Sequence, residues 1–256
     1  MTSIVLAFAI FFLGAIIGSF LNVCIYRIPA EVSIVSPPSR CPNCGASIHW
    51  FQNVPILSYL VLGGKCGACR VGISWRYPIV EALTGALFVL VFYSFQFSAA
   101  TVMYWLFVAA LIVITFIDLD HQIIPDVISL PGIVIGFLCS FAIPWLSWTD
   151  SLFGILLGGG SLWLVAVLYE LLTKKEGMGG GDIKLLAMLG AFLGWKAILP
   201  IIFISSLIGS LIGVPLMLVK KADSKLAIPF GPFLALGALI YLFWGPKLIA
   251  WYLSFY

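Results

Sequence analysis

An all-α polytopic membrane protein of about eight transmembrane helices, with a small zinc-binding cytoplasmic domain between helices 1 and 2, is the fold class this sequence predicts. Three observations predict it. Of 256 residues, 62% are hydrophobic and only 9% charged, and the mean hydropathy of +1.17 is far outside the range of soluble domains. The apolar residues gather in stretches, most of them near the ~17–25 residues a helix needs to cross hydrocarbon. The one long polar stretch carries four cysteines in two C-x2-C pairs.

The apolar stretches run from Ser3 to Tyr26, Tyr77 to Phe97, Val102 to Ile117, Val127 to Trp148, Ser151 to Thr173, Ile183 to Trp195, Ala197 to Val219 and Ile228 to Trp244. Backbone exposed to lipid must satisfy its own hydrogen bonds, so each is expected as a helix. The first has no charged leader region and no small-residue cleavage site, and reads as a retained span. Lys and Arg accumulate on the cytoplasmic side of membrane proteins. With the N-terminus outside, Arg27, Arg40, Lys65, Arg70, Arg76, Lys174, Lys175, Lys184, Lys220, Lys221 and Lys225 fall on one side, and only Lys196 and Lys247 on the other. The net charge of +3 thus reports topology, and a nucleic-acid partner is excluded because the charges cluster at span ends.

The polar segment, residues 27–76, is therefore expected in the cytoplasm as a domain of its own, after a first helix at 1–26 and before a membrane core at 77–256. Its cysteines stand in "CPNCG" (Cys41, Cys44) and "CGACR" (Cys66, Cys69), a spacing that lets four thiolates close a tetrahedral zinc site. A reducing compartment argues against the alternative of disulfides. Glycines beside or between the cysteines are expected to allow the sharp turns. So small a segment buries little core, and the metal would contribute folding free energy. Cys24 and Cys139 lie in apolar runs and read as packing residues.

Ten residues are acidic, and an acid at a helix end in a bilayer is costly unless it is partnered or functional. Asp118, Asp120 and Asp126 cluster in "FIDLDHQIIPD" at the end of the third span and the start of the fourth. Asp182 follows "GGG" and opens the sixth, a short stretch that rises only about 20 Å. Counting crossings puts Asp118 and Asp182 on the same inner face. Gly179 to Gly181 remove side chains where another backbone would approach, although Asp182 also stands where a helix N-cap would. Asp120 lies two positions from Asp118 and so points to another face, while Asp126 reads as the cap of the fourth span. Two facing carboxylates share a proton: one activates water and the other protonates a leaving amine. That is the chemistry of an aspartyl protease.

The "GGGD" at Gly179 to Asp182 matches the G-x-G-D motif of membrane aspartyl proteases, and the chain resembles the type IV prepilin leader peptidase / N-methyltransferase family. The likeness takes in "GSFLNVCIYRIP" (Gly18 to Pro29), the paired C-x2-C segment, "GGKC" (Gly63 to Cys66), "RYPIVE" (Arg76 to Glu81), "IDLDHQIIPD", "EGMGGGDIKLLAMLGA" (Glu176 to Ala191) and "IPFGP" (Ile228 to Pro232). The resemblance implies a catalytic pair of Asp118 and Asp182, with Gly179, Gly181 and Lys184 in the loop that meets substrate. It implies a type IV prepilin or pseudopilin substrate with a short basic leader ending in glycine, cut at the inner face of a bacterial cytoplasmic membrane. It also implies N-methylation of the new N-terminus with S-adenosyl-L-methionine, for which Gly64 and Lys65 are the candidates. No strand followed by G-x-G-x-x-G is present to show a conventional nucleotide fold. Glu31, Glu81, Glu170 and Glu176 are available to basic leader residues, or stand as solvated surface charge. The rival classes are a non-enzymatic assembly or adaptor protein and an ion-coupled transporter; no repeated half supports the latter.

Overall fold

The computed structural model describes residues 2–174, 179–220 and 229–254. Lys175, Glu176, Lys221, Lys225 and Ile228, which the sequence reading used, lie outside them. Among the described residues all regular elements are helical: α1 (Thr2–Arg27), α2 (Leu57–Val61), α3 (Arg76–Phe95), α4 (Ala99–His121), α5 (Asp126–Cys139), α6 (Trp148–Thr173), α7 (Gly180–Leu193), α8 (Ile198–Lys220) and α9 (Gly231–Leu253). Each of the eight apolar stretches overlaps a helix of 14 residues or more. Six of these helices, α1, α3, α4, α6, α8 and α9, are long and apolar enough to cross a membrane. The other two, α5 and α7, have 14 residues each. The fourth stretch was expected to run to Trp148, but helix α5 stops at Cys139 and turns carry the chain through Pro144 to α6.

The chain forms two compact units, Met1–Val113 and Ile114–Tyr256, with α4 running from one into the other. In the first, α1 packs on α3 through small residues. A Cβ on Gly14 would lie 2.8 Å from the Gly85 Cα, and one on Gly18 would lie 2.8 Å from the Glu81 Cα. Lipid offers no hydrophobic force between helices, so close backbone approach supplies the attraction.

In the second unit α7 is the core. Leu185 through Phe192 are all buried, which is how a helix apolar on every side is accommodated. α5 lays Gly132 and Gly136 against Met188 and Phe192, and α6 lays Gly154 against the Gly190 carbonyl and Gly158 against that of Leu186. The buried Ser151 hydroxyl donates to the Ala191 carbonyl at 2.7 Å. α8 and α9 are joined by Ser205, whose hydroxyl donates to the Phe233 carbonyl at 2.9 Å. Because other helices surround α7, its 14 residues need not span the lipid, which is an alternative to the thinned bilayer that its length alone suggests.

Candidate active site and candidate metal centre

The acidic site is assembled wholly within the second unit. Asp118 sits in the last turn of α4 and is buried, 4% exposed, whereas Asp120 two residues on is exposed. α4 ends when Gln122 takes a left-handed φ of 54°, its amide donating to the Asp118 carbonyl at 2.9 Å. The chain then passes through Ile124 and Pro125 into α5. Asp118 Oδ2 accepts a buried hydrogen bond of 2.9 Å from the Gly231 amide, in the first turn of α9. Asp182 sits in the first turn of α7 and is half-buried. The N-cap of that helix is Gly179 and not Asp182, whose amide donates to the Gly179 carbonyl at 3.3 Å. Although they are 64 positions apart in the chain, Asp118 and Asp182 are linked through Ile124, whose side chain lies 2.9 Å from a Cβ placed on Gly181, next to Asp182, and 3.4 Å from one placed on Gly231, which bonds Asp118.

Asp126 was expected to cap α5. The structure instead makes Pro125 the N-cap residue and turns the Asp126 carboxylate to Lys184, with both oxygens 2.7 Å from Nζ. Lys184, two residues past Asp182, thus ties α7 to α5 at the acidic end. The three glycines before Asp182 divide in use. Among the described residues nothing lies within 4 Å of a Cβ placed on Gly179 or Gly180, whereas one on Gly181 would lie 2.9 Å from Ile124. The close approach there is made by the chain's own Ile124.

The metal centre lies in the first unit. Its two turns share one design: the Cys41 amide donates to the Ala46 carbonyl and Gly45 to Cys41, while Cys66 donates to Val71 and Arg70 to Cys66, at 2.8 to 3.0 Å. Gly45 takes the left-handed position of the first turn, with φ 69°. In the second, a glycine between the cysteines was expected to serve the turn, but Arg70 takes it, with φ 60°. Gly67 instead makes room for Gln52, whose Nε2 would lie 2.8 Å from a Cβ there. All four sulfurs lie within 4.8 Å of one another, and Cys41 and Cys69 are 3.9 Å apart. Zn–S bonds of ~2.3 Å in a tetrahedron put sulfurs about 3.8 Å apart, so the cluster fits a metal of that kind. The amide of Val71 and the side chain of Asn43 pull Cys69 down to about 6. The Ala46 amide favours the Cys44 thiolate, but the sulfurs of Cys69, Cys41 and Cys66, together with burial, push Cys44 up to about 11.

Side chains at the ends of the flanking helices hold this module in place. Arg27 donates to the carbonyls of Ser33 and Pro37, both at 2.8 Å, and Asn22 to that of Tyr77 at 3.2 Å. Glu81, weighed above as solvated charge, is buried, and its carboxylate accepts from the Ile56 amide at 2.7 Å. Its period within α3 puts it on the α1 side, the signal that could have found it. Gly64, with φ 67°, forms the exit from α2 with its amide bonded to the Tyr59 carbonyl, and the adjacent Lys65 is exposed.

Residues 12–95 match the bacterial peptidase A24 N-terminal domain and residues 105–214 match the type IV leader peptidase family. The chain is 40% identical to a prepilin leader peptidase/N-methyltransferase of Pseudomonas aeruginosa, over 95% of this chain and 92% of that protein. The chain belongs to the type IV leader peptidase family. Relatives bearing the same name in Neisseria gonorrhoeae and Myxococcus xanthus are also 40% identical, the first over 89% of this chain and 87% of its own length, the second over 82% and 62%. No solved structure matches. Both metal-turn cysteine pairs fall within the first matched segment, and Asp118, Asp126, Asp182 and Lys184 within the second.

Proposed function

We propose that this chain is a membrane aspartyl endopeptidase that removes the short basic leader of type IV prepilins or pseudopilins after glycine, and N-methylates the residue so exposed. The observation that carries this reading is the placement of Asp118 and Asp182: two acids from remote helices, one buried and bonded to the Gly231 amide, the other beginning the helix whose Gly181 packs on the same Ile124 that faces Gly231. Family membership supplies the substrate class. In this reading the ionised carboxylate takes a proton from a bridging water, whose oxygen adds to the scissile carbonyl. The protonated acid donates to the carbonyl oxygen and, as the C–N bond breaks, a proton passes to the leaving amine. Gly179 and Gly180, with no described residue within 4 Å of a Cβ at either, leave room for substrate backbone beside Asp182.

The working division is a first helix at 1–26, a zinc module at 27–76 and a peptidase core at 77–256. The protein resides in the bacterial cytoplasmic membrane with its N-terminus outside, and the module and both aspartates at the cytoplasmic side, where a leader meets the membrane. Zinc is the metal of the four-cysteine site, in a structural role. S-adenosyl-L-methionine supplies the methyl group when bound. Gly64 and Lys65 are the candidates beside it, of which the exposed Lys65 suits the carboxylate of that molecule while the Gly64 backbone is already used by the turn.

The test is Asp118→Asn and Asp182→Asn, each co-expressed with a precursor pilin and read by gel mobility. Each abolishes nearly all cleavage while the protein accumulates normally. Cleavage surviving in both variants removes the protease reading and favours a non-enzymatic assembly role.

A further inference from the structure

We propose that Gly231 is a positioning residue for the peptidase: its backbone amide, in the first turn of α9, holds Asp118 as a hydrogen-bond acceptor, which gives Asp118 the water-activating role and Asp182 the proton-donating one. The proposal rests on reading Asp118 and Asp182 as the catalytic pair. Gly231 lies after residues 105–214, the segment matched to the peptidase family.

The first amides of a helix have no partner within it and carry a partial positive charge. In α9 one of these amides is turned to a carboxylate on another helix, 113 positions earlier, at 2.9 Å and buried. An N–H can only donate, so Oδ2 of Asp118 faces it as an acceptor, and a donor at a helix start favours the anionic form. Like charge on a second nearby acid is costly, so with Asp118 held as the acceptor the shared proton stays with Asp182. One oxygen of Asp118 is thereby fixed in direction.

Glycine permits this approach without displacing the carboxylate. A Cβ at position 231 would lie 2.6 Å from Asp118 Oδ2 and 3.4 Å from Ile124 Cδ1. The carboxylate would have to rotate away from the amide that aims it. Ile124 is also the side chain against Gly181, one residue before Asp182, so the starts of α9 and α7 pack on the same side chain. A misplacement of about 1 Å at such a site can cost a factor of about 100 in rate.

Replacing Gly231 with glycolic acid by nonsense suppression tests the bond without adding an atom, because the ester oxygen cannot donate. The expected result is a kcat on detergent-solubilised prepilin lowered about tenfold to a hundredfold, with KM within about twofold and melting temperature unchanged. Gly231→Ala lowers kcat at least as far. An ester variant with wild-type kcat, or a loss confined to KM, overturns the proposal. If instead Asp118→Asn and Asp182→Asn both cleave, it is the catalytic pair itself that fails. Isotope-edited infrared spectroscopy reads the roles: the protonated-carboxyl band of the wild-type protein disappears in Asp182→Asn. A band that survives there and vanishes in Asp118→Asn, or that is absent from the wild type, reverses or removes the assignment.

Discussion

Lys184 Nζ lies 2.7 Å from each carboxylate oxygen of Asp126, so that one side chain of α7 grips the first residue of α5 with a two-pronged ion pair. The pair sits between the two acids in the chain's own connections: Asp126 closes the loop that leaves Asp118, and Lys184 follows Asp182 by two residues. Both side chains are substantially exposed, 38% and 54%. An exposed pair contributes at most about 1 kcal/mol, so its value is in holding the loop to the helix.

Asp126→Asn and Lys184→Met are therefore expected to leave thermal stability nearly unchanged and to lower prepilin cleavage about tenfold each. The exchanged pair Asp126→Lys with Lys184→Asp recovers part of the loss. Cleavage rates on purified prepilin check this, and an exchanged pair no better than either single variant would refute a positioning role.

Purified protein is expected to carry about one zinc ion per chain, and Cys41→Ser to lower that content and loosen the module. Retention depends on pH with a definite sign, since protons compete with metal for sulfur. Cys69, held down to about 6, is already a thiolate at neutral pH, while Cys44, at about 11, must give up its proton. Metal is held above neutrality and lost as pH falls, and the loss steepens below about 6, where Cys69 also takes a proton. Zinc content after dialysis against a chelator at stepped pH measures it.

The two cysteine turns share their backbone hydrogen bonds, but the left-handed position is Gly45 in the first and Arg70 in the second. A side chain in that conformation costs ~1 kcal/mol. Arg70→Gly should raise the melting point of the metal-loaded protein, and Gly45→Ala should lower it by a similar amount. Scanning calorimetry in detergent distinguishes the two.

A Cβ on Gly154 would run into the Gly190 carbonyl, which is backbone and cannot swing aside, whereas Gly160, on the same helix, faces open space. Gly154→Ala is expected to destabilise the protein by about 1–3 kcal/mol. Gly160→Ala is expected to be neutral or slightly stabilising, because alanine favours helix. Thermal unfolding of both variants provides the comparison.

The helices were legible because lipid leaves a long apolar stretch one backbone solution, and the metal turns because two C-x2-C pairs encode their own local geometry. The end of α5 was not: Ser140 to Ser147 is as apolar as a span, and only the turns around Pro144 stop the helix. Nor was the burial of Glu81, since a carboxylate near a span end looks the same in sequence whether it meets water or, as here, the Ile56 amide. The Gly231 contact escaped for a different reason. It joins backbone to side chain across 113 positions, and backbone donors leave no residue-type signature. For Asp126, the cap reading rested on the following helix alone and could not weigh a lysine arriving from α7.

The encasement of α7 separates the segment that bears Asp182 from the acyl chains around the protein. Changing host phospholipids from short to long tails would strain the outer helices through mismatch, each by fractions of a kcal/mol per Å. The inner segment would feel that only second-hand, so turnover in reconstituted vesicles should vary little with tail length, and the same protein should work in membranes of quite different thickness.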